Sequence, residues 1–210
     1  MSSAGGRQVP QAVLLGTENR AKQERLAWLL EDLGLKLVTP SQAALAAPWV
    51  EEDGLSHRAN ATAKAVAWSV AYGGMAIASD GGLVVPALGH GWDSLKTRRF
   101  FEGDDLGRAR ELLSLMAHLE MEGRHAYWVE AVVVADRGRL LHTAEGRSGE
   151  GIIALEADDA LIKGGFWIGA VWYFPQLGKR YAEMNDIELA QVGDHWSALK
   201  GQARNLLGQH

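Results

Sequence analysis

The sequence predicts an α/β protein, and two observations carry the prediction. Near its start, an apolar run, a polar turn, a helix-spaced run and a second alternating run follow one another, which makes a βαβ-like unit. In its second half, two runs rich in β-branched and aromatic residues flank Asp136-Arg137-Gly138, which makes a long antiparallel hairpin. Apolar residues make up 47% of the chain and charged ones 22%, so a sizeable core is available and the chain reads as an ordinary folded protein.

In order, residues 1–10 are short, polar and glycine-containing and read as a flexible arm, leaving 11–208 as one domain. Residues 12–15 form the first strand, which stops at Gly16-Thr17. Ala21, Leu26, Leu29, Leu30 and Leu33 then recur at helical spacing, with Thr17 or Asn19 as N-cap and Gly34 as the stop. Residues 35–38 alternate like a second strand. A helix start leaves its first amides unpaired at the positive end of the dipole, so Thr17, Asn19 and Lys22 are placed to face an anion there. The same residues also suit simple capping.

After an irregular stretch, Glu51-Glu52-Asp53-Gly54 precedes a helical run in which Asn60 and Lys64 share one face. Residues 76–85 read as an apolar run that delivers Asp80 into a Gly81-Gly82 turn, followed by a second apolar run from Leu83. The two glycines there permit either a positive φ or a close backbone approach. Residues 88–99 read as a loop, 104–120 as an amphipathic helix, 126–135 and 140–144 as the hairpin strands, and 164–173 as a core strand or a base-stacking pocket. Two short helices near 186–191 and 194–207 end the chain.

Several function classes drop out. With no cysteine among 210 residues, disulfides, thiolate zinc, iron–sulfur centres and cysteine nucleophiles are excluded, so a metal must sit on oxygen or imidazole. No two of the seven histidines are spaced i, i+4, which argues against zinc. A net charge of -5 argues against a general nucleic-acid or anionic-membrane surface. No apolar run approaches the roughly 18 residues of a membrane span, and the expected location is cytoplasmic.

A series of motifs in order resembles the inosine triphosphate pyrophosphatase family, whose members hydrolyse non-standard purine nucleoside triphosphates. Its T-G-N-x-x-K is matched by Thr17-Glu18-Asn19-Arg20-Ala21-Lys22, and its E-E-x-G by Glu51-Glu52-Asp53-Gly54. N-A-x-x-K-A is matched by Asn60-Ala61-Thr62-Ala63-Lys64-Ala65, and A-D-D-S-G-L by Ala78-Ser79-Asp80-Gly81-Gly82-Leu83. Gly164-Gly165-Phe166 and Tyr181-Ala182-Glu183-Met184 stand for G-G-F and F-A-E-M, and Lys96-Thr97-Arg98 resembles the family's S-A-R.

The resemblance implies an elongated, twisted mixed sheet flanked by helices, with two lobes around a central cleft, and a homodimer. It implies that Glu52 and Asp80 hold Mg²⁺ and that Asp80 is the catalytic residue, activating the attacking water. Thr17, Asn19, Lys22, Lys64 and Arg98 would contact the nucleotide and its phosphates, with Phe166 and Trp167 at the base. The implied reaction is hydrolysis of a nucleoside triphosphate to the monophosphate and pyrophosphate. An alternative is a catalytically silent nucleotide-binding or partner-binding protein on the same scaffold.

Departures cluster at the site. Glu18 replaces a glycine, and Arg25 replaces a glutamate and is expected to pair with Glu18. Ser79 replaces the first aspartate of the central pair, and Gly81 the serine after the second. Trp167-Ile168-Gly169-Ala170 stands where the family has G-Y-D-P, and Gly193-Asp194-His195 where it has S-H-R, so altered base recognition is expected.

Overall fold

The first strand, β1 (Ala12–Leu15), hydrogen-bonds in parallel to two others, β2 (Lys36–Val38) and β3 (Met75–Val84), which confirms the βαβ opening. The computed structural model describes residues 11–97, 100–162 and 166–207. The expected arm, Arg98 and Gly164-Gly165 lie outside these residues. Helix α1 (Arg20–Leu30) joins β1 to β2 and extends through a 3-10 turn to Leu33. Its N-cap is Asn19, whose side chain accepts from the Lys22 amide, and Gly34 ends it in the left-handed region at φ 64°. Leu26, Leu29 and Leu30 point inward at the expected spacing.

The hairpin is also present. Strand β4 (His125–Asp136) turns through Arg137 and Gly138 into β5 (Arg139–Arg147), with a bulge at Val134/Ala135. Its other edge runs antiparallel to β3 over ten consecutive pairs, from Met75 opposite Asp136 to Val84 opposite Tyr127. The start of β4 also pairs with β6 (Gly151–Ile153), which leads to β7 (Trp172–Phe174) and β8 (Lys179–Arg180). The result is one eight-stranded mixed sheet in the order β2-β1-β3-β4-β6-β7-β8, with β5 also on β4.

Alternation along β3 and β4 divides the core. Ile77, Val132 and Val134 pack beneath α1 and α5 (His195–Leu207). On the opposite face Ala78, Ala131, Val133 and Ala135 pack against Ala61 and Ala65 of α2 (His57–Tyr72). Small residues on both sides let that helix sit close to the sheet. A third cluster, around Trp172, Phe174 and Tyr181, fills the far end with α3 (Asp105–Leu115). There the guanidinium of Arg124, 2% exposed, donates to the carbonyls of Met116, Leu119, Ile153 and Ala154, tying α3's exit to the sheet.

Four expectations change. Asp80-Gly81-Gly82 is not a turn: β3 runs straight through it, and neither glycine has a positive φ. The glycines serve close approach instead, because a Cβ would lie 1.8 Å from Glu130 Oε2 at position 81 and 1.9 Å from the Ser94 carbonyl at position 82. The 88–99 stretch contains short 3-10 turns at Pro86–Gly91 and Ser94–Lys96. The 104–120 helix stops at Leu115, and the core strand near 164–173 is a 3-10 turn, Trp167–Ala170, before the short β7. The last two helices fall where expected, α4 at Asp186–Gln191 followed by α5.

Candidate functional site

β1 hydrogen-bonds to β3 only at Ala76 and Ile77, and the chain then leaves the sheet at Gly16, whose amide bonds Ile77 O at 2.7 Å. β3 continues for seven more residues. Beyond Leu15 its edge therefore borders a cleft of about 1050 Å³, flanked by the start of α1. Crevices beyond the carboxyl ends of parallel strands are where open α/β sheets bind ligands.

Asp80 enters this cleft from the α2 face of the sheet and is 7% exposed. Its Oδ1 accepts from Lys64 Nζ at 2.6 Å, and its Oδ2 lies 2.8 Å from His57 Nδ1. Both partners are on α2, one near its start and one two turns along. Burial opposes ionisation of Asp80, but the hydrogen bond with His57 and the charges of Lys64 and Lys22 hold its carboxyl below the usual range. It is a carboxylate at neutral pH.

Glu52 reaches the same point, with Oε1 3.3 Å from Lys64 Nζ. The acidic loop is held there by Asn60, whose Oδ1 accepts from the Gly54 amide at 2.9 Å. A Cβ on residue 54 would meet that oxygen at 2.5 Å, which is why the loop turns on a glycine. Asn60 and Lys64 share a helical face as expected, one anchoring the loop and the other bridging the two carboxylates.

Among the described residues, no group of three or more His, Asp or Glu side chains stands close enough to hold a metal unaided. Glu52 and Asp80 nonetheless converge on one ammonium. Mg²⁺ binds through one or two carboxylates and completes its octahedron with water and phosphate oxygens, so this pair fits it.

Lys22 extends from the first turn of α1 to Glu130 Oε1 at 3.2 Å, and Glu130 Oε2 accepts from Trp128 Nε1 at 2.8 Å. Glu130 stands on β4 opposite Gly81 and is 1% exposed. Burial pushes its carboxyl up, yet Lys22, His195 and the hydrogen bond from Trp128 hold it below its ordinary value of 4.5. Because the folded value is the depressed one, its contribution to stability is complete above pH 4.5 and is lost as pH falls through the folded value. Wild type should therefore lose more melting temperature than Glu130→Gln on acidification below pH 4.5, measured by calorimetry between pH 7 and 3; parallel curves would refute this.

Thr17 and Asn19 line the cleft, but their side chains form the α1 start. Thr17 Oγ1 accepts from the Asn19 amide at 3.2 Å and Asn19 Oδ1 from the Lys22 amide at 3.3 Å. Arg25 bonds Asp186 Oδ1 at 3.3 Å rather than the expected Glu18. Phe166 and Trp167 both line the cleft. Phe166 packs edge-on to Trp128, whereas Trp167 is 2% exposed and serves chiefly the core. His195 stacks on Trp128 at 5.6 Å, and burial depresses its imidazole against the opposing charges of Asp194 and Glu130. Arg98 lies outside the described residues.

Sequence reasoning missed Glu130 and His57. Glu130 left one signal, a single acid inside a run of ten residues that otherwise reads as buried strand.

An acid-bearing, lysine-lined crevice at the end of a parallel strand marks a ligand-binding α/β protein. The chain belongs to the Ham1 family, whose model matches residues 13–203. It is 32% identical over 190 residues to the dITP/XTP pyrophosphatase of Desulforamulus reducens, covering 90% of this chain and 92% of that one. It is 36% identical over 188 residues to the dITP/XTP pyrophosphatase of Thermus thermophilus, covering 90% and 88%. The resemblance seen in the motifs thus extends over most of the chain, and the family is one of hydrolases acting on acid anhydrides. The fold matches a HAM1 protein from Coxiella burnetii with a TM-score of 0.76 at 24% identity, covering 96% of this chain and all of that one. The Staphylococcus aureus Ham1 protein matches at 0.71 and 20%, covering 93% and 99%. No helix among the described residues is long and apolar enough to cross a membrane.

Proposed function

We propose that the chain is a Mg²⁺-dependent nucleoside triphosphate pyrophosphatase that releases a nucleoside monophosphate and pyrophosphate, with base recognition altered from its family's pattern. The observation that carries this reading is the convergence of Asp80 and Glu52 on Lys64 beside Lys22, inside one cleft.

Glu52 and Asp80 would hold the metal, which when bound supplies charge neutralisation to the phosphate chain. Asp80, ionised and oriented by His57, is the group able to take a proton from an attacking water. An ammonium has three donors, and Lys64 directs two at carboxylates, which leaves one for a phosphate oxygen. Lys22 and the start of α1, the positive end of its dipole, border the same cleft. Phe166 and Trp128 border the cleft with aromatic surface for a base, and the Arg25–Asp186 pair supplies polar groups where the family's G-Y-D-P contacts are absent. The names of the relatives make inosine- and xanthosine-type triphosphates the first substrates to try.

The same reading has a cytoplasmic homodimer. Trp49 and Leu55, 84% and 98% exposed on the segment carrying the acidic loop, support an interface.

A panel of ordinary and modified nucleoside triphosphates, with and without Mg²⁺, tests the reaction. Expected is pyrophosphate, not orthophosphate, from at least one nucleotide in Mg²⁺ only. If every nucleotide raised the melting temperature and none was turned over, the catalytically silent binder would stand instead.

A further inference from the structure

Glu130 is a second buried acid at the cleft, reaching it from the face of the sheet opposite Asp80. Its carboxylate occupies the space that a side chain at residue 81 would need, since a Cβ there would lie 1.8 Å from Oε2 and 2.7 Å from Trp128 Nε1. Ser79, the next residue on that face of β3, is buried and uncharged, so it adds no repulsion. The two departures from the family's central motif, Ser79 and Gly81, are together the local conditions for one carboxylate on the neighbouring strand.

A carboxylate this buried is costly unless it is paired. Its ionic partner is Lys22 at 3.2 Å, the cation that the reading above gives to the substrate's phosphates, and the present inference rests on that reading. Within this ion-paired cluster, two ammonium groups, Lys22 and Lys64, face three carboxylates, Glu52, Asp80 and Glu130. Together these five groups carry one net negative charge. A metal-free triphosphate brings only more negative charge to it, while the divalent-cation complex brings its own neutralisation. Removing Glu130 alone would balance the cluster and release Lys22.

We infer that Glu130 is a specificity-determining charge filter: by holding Lys22 with an internal carboxylate, it makes the phosphate half of the cleft select the divalent-cation complex of a triphosphate and reject the metal-free form. Glu130→Gln is the natural probe, because the amide oxygen still accepts from Trp128 while the charge is gone. Glu130→Asp keeps the charge and should keep the discrimination.

The test is calorimetric titration of the full chain with inorganic triphosphate, once in EDTA and once with excess Mg²⁺, for wild type, both Glu130 variants and Lys22→Met. Glu130→Gln should tighten metal-free binding at least tenfold, about 1.4 kcal/mol, and alter binding of the Mg²⁺ complex less than threefold. Glu130→Asp should stay within threefold of wild type in both. Metal-free binding by Glu130→Gln that is equal to wild type or weaker overturns the filter. So does a Glu130→Asp variant that binds metal-free triphosphate tenfold more tightly. If either result comes with Lys22→Met weakening binding, the phosphate role of Lys22 survives and the filter alone falls. If Lys22→Met leaves both affinities unchanged, that phosphate role fails and the filter falls with it.

Discussion

Asp80→Asn is expected to lower pyrophosphate release by about 10³-fold at saturating substrate, within the range that a positioned general base contributes. The substitution keeps the shape of the side chain and both of its neighbours, so the fold should survive. It removes the charge that Lys64 and His57 are arranged around. In the reaction proposed above, the affected group acts on the attacking water and the phosphate contacts of Lys22 are untouched, so the loss should appear in kcat. Steady-state release at several Mg²⁺ concentrations checks this. Rates within tenfold of wild type at every concentration would remove Asp80 from the chemistry.

The second large effect is structural. In Gly82→Ala the new methyl lands 1.9 Å from the Ser94 carbonyl oxygen, 2.8 Å from Thr97 Oγ1 and 2.9 Å from His57 Cε1. Two of these atoms belong to the 94–97 segment, which is docked on β3 by Thr97, whose hydroxyl accepts from the Leu83 amide and donates to Ser94 O. The third belongs to the residue that orients Asp80. Because Gly82 has no positive φ, the penalty is one of space rather than backbone conformation. Overpacking of a tight site typically costs 1–3 kcal/mol, and here backbone must move, so about 3 kcal/mol is expected. For a chain of this size that lowers the melting temperature by roughly 6–12 °C. A drop under 2 °C, measured by scanning calorimetry, would show that the segment yields freely.

What was legible in the sequence was what depends on local pattern. The leucines of α1, the Gly34 stop and the β-branched runs of the hairpin each dictate their own element, and each formed. Lys64, Glu52 and Asp80 could be grouped because a family resemblance ordered them, and the structure brings them to one point. What local pattern cannot show is which residue lies across the ladder. Asp-Gly-Gly has the composition of a turn, and only the ten-residue pairing with β4 reveals it as strand, with the glycines making room for Glu130 and for the Ser94 carbonyl. His57 left no local signal because its partner is 23 positions away. Thr17 and Asn19 were ambiguous between capping and binding, and their side chains turn out to form the helix start.

The long pairing of β3 with β4 has a further meaning for how such a protein changes over time. Asp80 sits within that ten-pair ladder, while the groups that the proposed reading sets beside the nucleobase stand on a helix, at a helix start and before a short turn, at Arg25, Asp186 and Phe166. On that reading, chemistry and selectivity are mounted on separate parts. Drift in the outer parts can retune which base is accepted while the acid stays where the sheet put it, and a lineage can change its diet without having to reinvent its bite.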